Sequence, residues 1–342
     1  MTTQARLLEL LKSDKDIWSQ FTREEEYASK EVDVHGRFPS KATRHGDPLE
    51  PRVSKYLIDK GLSVRFPEGR SFAVCLTHDI DLLKPHSVRN FRVPGPVKLS
   101  LMRLSRKFEA AWNFNRLLDL EESFGARSTF FFMALGPQDQ GFNYRIEEVQ
   151  EELGTIMDRG WEIGLHGGHS ASFDPSALKT EKGRLEKELG RKVLGCRNHY
   201  LRIKVPSTWR LQAQAGFEYD STLGYADSIG FRNGMCHPFS PYDLGANETI
   251  GIIEVPLVVM DGSLFGYMKL DVTEAWEMTK RLIDKTQMCQ GVLTVLWHNT
   301  HMRGDMLEFY KKLLQYCYEK GAWMTSGQEI ARWWRTDPYG FG

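Results

Sequence analysis

The stretch Ser71-Phe-Ala-Val-Cys-Leu-Thr-His-Asp-Ile-Asp81 decides how the chain is read. Phe72 to Leu76 has the length and bounding of a buried strand, and it runs on into two carboxylates one residue apart, followed by a loop that reaches Pro85. In an α/β sheet or barrel the carboxyl ends of the strands form the mouth where polar groups converge on a ligand, which places Asp79 and Asp81 there. Two acids at such a mouth invite a cation. The same residues also suit a capped loop whose carboxylates serve backbone N–H groups and water.

Outward from this stretch, short apolar runs alternate with amphipathic ones, the pattern of strands and covering helices. Strands are expected near 72–77, 127–134, 161–166, 192–197, 217–221, 251–258 and 291–297. Helices are expected over 113–124, 146–159, 175–189, 206–215, 272–287 and 303–320, two of them opening with proline at a position where its missing N–H costs nothing. Seven strands with crossovers predict a barrel or a wound sheet. Before them, residues 1 to about 70 hold a helical Leu7, Leu8, Leu10, Leu11 pattern, a loop-rich segment with Gly36, Pro39, Gly46, Pro48 and Pro51, and a short helix at Tyr56 to Gly61. This segment reads as an N-terminal extension packed on a main domain of residues 71–342. The insert from Pro85 to about Ala110 is basic and amphipathic, and suits either a solvated helix face or a flap for an anionic group.

Bulk properties narrow the classes. With 342 residues, 41% of them apolar and 12% aromatic, the chain has ample material for a core. Forty-five basic residues balance forty-five acidic ones, so no global field attracts nucleic acid, and the basic cluster near 89–107 lacks interleaved aromatics. No run approaches the roughly 18 apolar residues of a membrane span, and no leader pattern opens the sequence, so a soluble cytoplasmic protein is expected. Five dispersed cysteines, none in a Cys-x-x-Cys pair, read as reduced thiols.

Other predicted strand ends carry polar groups too. The strand at 161–166 finishes in His166-Gly-Gly-His169, whose glycines allow a sharp turn and set two imidazoles three residues apart. Two histidines and one aspartate are the ligand types that zinc and similar divalent ions prefer, with a position left for water. The strand at 192–197 delivers Arg197, able to lock a neighbouring carboxylate through a bidentate pair, with Tyr200 close behind. The strand at 291–297 runs directly into His298, which can give a proton to a leaving group. In the aromatic-rich segment 217–239, Asp220 and Arg232 are polar exceptions placed to contact substrate hydroxyls.

Together these stretches resemble the polysaccharide deacetylase family, also called the NodB-homology or carbohydrate esterase family 4 group, from about Phe72 to Trp334. The resemblance implies a distorted (β/α)7 barrel with Asp79 as catalytic base and Asp81 as metal ligand. It further implies His166 as a second ligand, an Arg197 to Tyr200 element supplying an oxyanion N–H, and a late Leu296-Trp-His298 element supplying the acid. The closing Gly321-Ala-Trp-Met-Thr-Ser-Gly-Gln-Glu-Ile resembles the family's last strand and helix. One departure stands out, because the family's second histidine falls at Ser170 here. Either the turn through Gly167 and Gly168 lets His169 coordinate, or only Asp81 and His166 hold the ion.

The expected activity is metal-assisted hydrolysis, with Zn2+ the first choice of ion, of an N-acyl group, N-acetyl in the first place, on an amino sugar or glycan precursor. The expected partner is a small-molecule or oligosaccharide substrate. Rival expectations are a formamide, ureide or sugar-lipid substrate, or a non-catalytic carbohydrate binder.

Overall fold

The stretch that opens the reading is the central strand of the protein. In a computed structural model that describes residues 3–83 and 111–341, residues 73–80 lie fully buried with parallel neighbours on both edges. The basic insert falls outside the described residues.

In chain order the strands are β1 (Leu62–Val64), β2 (Ala73–Ile80), β3 (Thr129–Phe132), β4 (Glu162–Gly167), β5 (Gly195–Asn198), β6 (Tyr219–Asp220), β7 (Tyr242–Asp243), β8 (Glu248–Thr249), β9 (Ile253–Glu254), β10 (Leu257–Met260), β11 (Val292–Leu296), β12 (Trp323–Thr325) and β13 (Tyr339–Phe341). One curled sheet takes the order β10-β11-β2-β3-β4-β5-β6-β9, and every pairing along it is parallel. β12 shares an edge of β2 with β3, pairing with Ala73 to Cys75 while β3 takes Thr77 to Ile80. The result is a distorted (β/α)7 barrel. Parallel pairing requires crossovers, and here helices supply most of them, which sets the carboxyl ends of the strands at one rim.

The helices of the main domain run close to their expected bounds, whereas the short helix expected at Tyr56 to Gly61 lies earlier, at Arg52–Asp59, opening directly after Pro51. The helix Pro175–Leu189 is capped by Asp174, whose carboxylate accepts from the N–H groups of Ser176 and Ala177, and it stops at Gly190 in the left-handed conformation. Its Leu178, Leu185 and Leu189 are buried. Val272–Met288 opens on a reciprocal capping box between Asp271 and Glu274. The strand expected over 251–258 is split into β9 and β10. Pro256 falls between them and has no N–H to give to a ladder, so a continuous strand cannot pass through it.

Leu7, Leu11, Ile17, Phe21, Val53 and Leu57 of the N-terminal segment belong to the same continuous apolar cluster as Phe72 to Leu76. Fully buried side chains of this kind contribute roughly 1.5–3 kcal/mol each. The segment also reaches the rim of the barrel. Arg37 donates from Nη1 to the carbonyl of Tyr200 at 3.0 Å, and His35 stacks on the Tyr200 ring with centroids 4.3 Å apart. No helix among the described residues is long and apolar enough to cross a membrane.

Candidate metal and acid–base centre

Alternation along β2 explains why its two acids work on the same side. His78 points out of the barrel, with Nε2 against Glu121 Oε1 at 2.7 Å and Nδ1 against the Trp297 carbonyl at 2.7 Å. Thr77 and Asp79 point the other way, toward Arg197, and Asp81 just past the strand's end lies on that side too. One intervening residue is the spacing that puts both carboxylates at the mouth.

Arg197, at the end of β5, is fully buried and every nitrogen is engaged. Nη1 donates to Thr77 Oγ1 at 2.6 Å and to Asp79 Oδ1 at 3.1 Å, while Nε and Nη2 hold the carbonyl and hydroxyl of Ser221. Asp79 is therefore fixed by one guanidinium nitrogen. The bidentate pair expected from the sequence does not form, because Ser221 occupies the other two arms.

Asp81, His166 and His199 each turn one ligand atom to a common point, all within 4.8 Å of one another. His166 Nε2 and His199 Nδ1 lie 3.0 and 3.4 Å from Asp81 Oδ1, and 3.1 Å from each other. His166 Nδ1 sits 2.9 Å from the carbonyl of Arg197, which can only accept, so Nδ1 carries the proton and Nε2 presents its lone pair. Asp81 Oδ1 is buried yet receives no hydrogen bond. An orphaned carboxylate oxygen facing two imidazole nitrogens fits a divalent cation, since one carboxylate and two imidazoles are the donors zinc takes. Burial opposes charge on Asp81 and on His166, but their mutual attraction and that of their neighbours outweighs it. The carboxyl is held well below its usual range, and the imidazole is raised.

His169 does not join this cluster. It lies two residues past the end of β4, and Gly168 directs the chain away. The Gly168 N–H donates to Glu181 Oε2 at 2.7 Å, and a Cβ at that glycine would sit 2.4 Å from Leu135 Cδ2. His169 is carried into a cavity lined by Leu135, Asp139, Glu181 and Arg184. The third position of the cluster is taken instead by His199, which sequence reasoning missed. The parallel register that sets His166 opposite Arg197 brings the start of the next turn, His199, over the site.

Opposite Asp81, His298 follows β11 with Nε2 3.6 Å from Asp81 Oδ2. Its Nδ1 lies 2.6 Å from Oδ1 of the fully buried Asp261, which follows β10 directly. Asp261 also accepts from the N–H groups of Gly262 and His298 and faces His301 Nδ1 at 2.8 Å. Burial would pull the His298 imidazole down, but the Asp261 carboxylate, helped by Asp81, pushes it up to about 10. His298 thus holds a proton at Nε2 across the neutral range. Asp261 was not among the sequence candidates, although an acid just after the apolar run Leu257–Met260 is the same signal that singled out Asp79.

Tyr200 sits beside His199 in the left-handed region, φ 59°, followed by Leu201 at φ 55°. Two such residues in succession, neither of them glycine, fix a tight turn at the rim. Asp220 and Arg232 do not face this mouth. Asp220 is fully buried on Gln212 and Thr222, and Arg232 is 2% exposed, clamped by Glu26 and the carbonyl of Gly224. A buried carboxylate and a buried guanidinium must find partners, and both find them inside the fold.

Among solved structures, a protein from Mycobacterium smegmatis assigned as a polysaccharide deacetylase superposes with a TM-score of 0.58 at 21% sequence identity, over 80% of this chain and 93% of that one. The chain has the polysaccharide deacetylase fold. Looser superpositions, each with a TM-score of 0.39, are found with a peptidoglycan deacetylase from Bacillus subtilis (15% identity, 78% and 93% of the two chains) and a family 4 carbohydrate esterase from Streptomyces lividans in complex with acetate (12%, 75% and 92%). No model of a known family and no curated protein matches the sequence. Within the polysaccharide deacetylase fold, Asp79, Asp81, His166, Arg197, His199, Asp261 and His298 stand at the rim where the parallel strands end.

Proposed function

We propose that the chain is a metal-dependent hydrolase that cleaves an N-acyl group, N-acetyl in the first place, from an amino sugar or glycan precursor. The observation that carries this reading is the unsatisfied Asp81 Oδ1 facing His166 Nε2 and His199 Nδ1, with Asp79 and the proton-bearing His298 on either side. Asp81, His166 and His199 would hold the ion, with Zn2+ the first choice on donor type. Held there, a divalent ion would supply Lewis-acid polarisation of an amide carbonyl and would lower the pKa of water from ~15.7 toward ~7.

The protein's own groups divide the remaining work. Asp79, oriented by Arg197, accepts a proton from the attacking water. The N–H of Tyr200, in a turn tied down by Arg37, donates to the oxyanion that forms as water adds to the acyl carbon; one such donor contributes ~3 kcal/mol. His298 gives its Nε2 proton to the departing amine as the C–N bond breaks, leaving a carboxylate and a free amino group. General acids of this kind accelerate such a step by ~10²–10⁴-fold.

Acetate release from a panel of N-acetyl amino sugars, with Zn2+ or Co2+ supplied, tests the reading. The wild type should release acetate, and Asp79→Asn should slow it by ~10²–10⁴-fold when both are assayed well below the variant's melting temperature, which falls because Arg197 loses its counter-charge. Equal release by both proteins would remove Asp79 from the reaction, and none by the wild type on any N-acyl substrate would overturn the hydrolase reading.

A further inference from the structure

Three residues beyond His199, Arg202 is 9% exposed, and neither its Nε nor its Nη1 finds a hydrogen-bond acceptor among the described residues. A guanidinium stays protonated at any working pH, so burying it without an acceptor leaves an uncompensated charge. The other buried arginines show the contrast. Arg197 spends every nitrogen, Arg23 is paired with Glu25 and Glu26, and Arg232 with Glu26. Among the described residues the Arg202 guanidinium lies instead over the Phe173 ring, 4.8 Å from its Cζ. Its backbone is set by the same turn that places His199, donating to the His199 carbonyl and accepting from Asn198 Nδ2.

Its charged surroundings are a second guanidinium, Arg37, and one acid, Asp33. His35 and His169 are partly exposed; burial pulls both imidazoles down, Arg37 and then Arg202 pull His35 further against the opposing Asp33, and Arg202 pulls His169 further. The acid of this neighbourhood, Asp33, is already taken by Arg37 and by the N–H groups of His35 and Arg37. Phe173 and Gly36, next to Arg202 and His35, also line an open groove of ≈ 640 Å³.

We propose that Arg202, flanked by His35 and His169, is a subsite for an oxyanion carried by the substrate, a phosphate or a carboxylate, beside the acyl-cleaving centre. The inference deepens the function proposed above and rests on it. A planar guanidinium with two free donors suits paired oxygens, and an arriving anion would neutralise a charge that the fold leaves unmet. The substrate class is then an anionic N-acyl amino sugar rather than a neutral one.

A matched set of probes separates the possibilities: N-acetylglucosamine, its 1-phosphate, and N-acetylmuramic acid, which carries a carboxylate. Calorimetric affinity and acetate release are measured for the Zn2+-loaded wild type and for Arg202→Met and Arg202→Lys. The wild type should bind one of the charged probes roughly tenfold or more tightly than the neutral sugar, the preferred one telling phosphate from carboxylate. Arg202→Met should abolish that preference and raise the melting temperature of the unliganded protein, whereas Arg202→Lys keeps part of the preference. An arginine serving structure alone would lower the melting temperature on replacement. Equal affinity for charged and neutral probes, or a preference that survives in Arg202→Met, overturns the subsite. A charged preference without acetate release would leave the subsite standing and defeat the hydrolase reading instead.

Discussion

Two clusters of one carboxylate and two imidazoles stand at the mouth of the barrel, and they differ in where the protons are. Around Asp261 every position is filled: its oxygens accept from two backbone N–H groups and face His298 Nδ1 and His301 Nδ1. Around Asp81 the imidazole nitrogens converge on an oxygen that receives nothing, and the far nitrogen of His166 is committed to a carbonyl. Residue types alone do not separate a proton-handling pair from a cation site; the accounting of donors and acceptors does. The first arrangement holds a proton on His298, and the second asks for a positive ion.

The largest effect that would break this contrast is at Asp261. Asp261→Asn removes the charge that keeps His298 protonated, and kcat for N-acyl hydrolysis should fall by ~10²–10³-fold with the bound metal unchanged. The sign of the pH dependence sharpens the point. With Asp261 present, His298 keeps its proton up to about 10, so the acid form persists across the neutral range. Without it the imidazole loses its proton near or below neutrality, and residual activity should fall between pH 6 and 8 where the wild type holds level. A profile unmoved by the substitution would mean that His298 is not the acid.

A buried imidazole with no carboxylate should show the opposite behaviour. His237 lies against Ser54 Oγ and the carbonyls of Cys289 and Gln290, and burial pushes it down to about 4. The unfolded chain, titrating near 6.5, binds this proton first as the pH falls. Stability should therefore drop between about 6.5 and 4, by about 3 kcal/mol in all, and level off below. Denaturant melts of the wild type and His237→Gln across that window measure it, and the variant should lack this component. The smallest effect expected is at His301, which is half-exposed and meets Asp261 at Oδ2, the oxygen that does not face His298 Nδ1. His301→Ala should lower kcat less than tenfold, and a loss as large as that of Asp261→Asn would show that the outer imidazole is part of the acid itself.

Much of the fold was legible because its signals are local. Phe72 to Leu76 is a buried run, Pro175 and Gly190 bracket a helix, and Asp79, His166, Arg197 and His298 each close an apolar stretch that became a parallel strand. What escaped was set by neighbours in space. The third group of the cation site was sought along the turn after His166, where His169 offered a plausible spacing. The strand register supplied it instead from β5 as His199, while the pinned Gly168 turned His169 aside. Asp261 was passed over because the strand expected at 251–258 stopped short of it; Pro256 moves the effective strand four residues on. Asp220 and Arg232 were read as polar exceptions placed for substrate hydroxyls, but their partners Gln212 and Glu26 come from a helix and from the N-terminal segment. The hold of Arg37 on Tyr200 spans 163 residues and has no sequence signature at all.

Zinc or cobalt titration, followed by calorimetry and by metal content after gel filtration, tests the central claim most directly. The wild type should bind one ion per chain, His199→Ala should bind none at stoichiometric concentration, and His169→Ala and Asp261→Asn should bind as the wild type does. Retention of the ion by His199→Ala, or its loss from Asp261→Asn, would contradict the assignment of the two clusters.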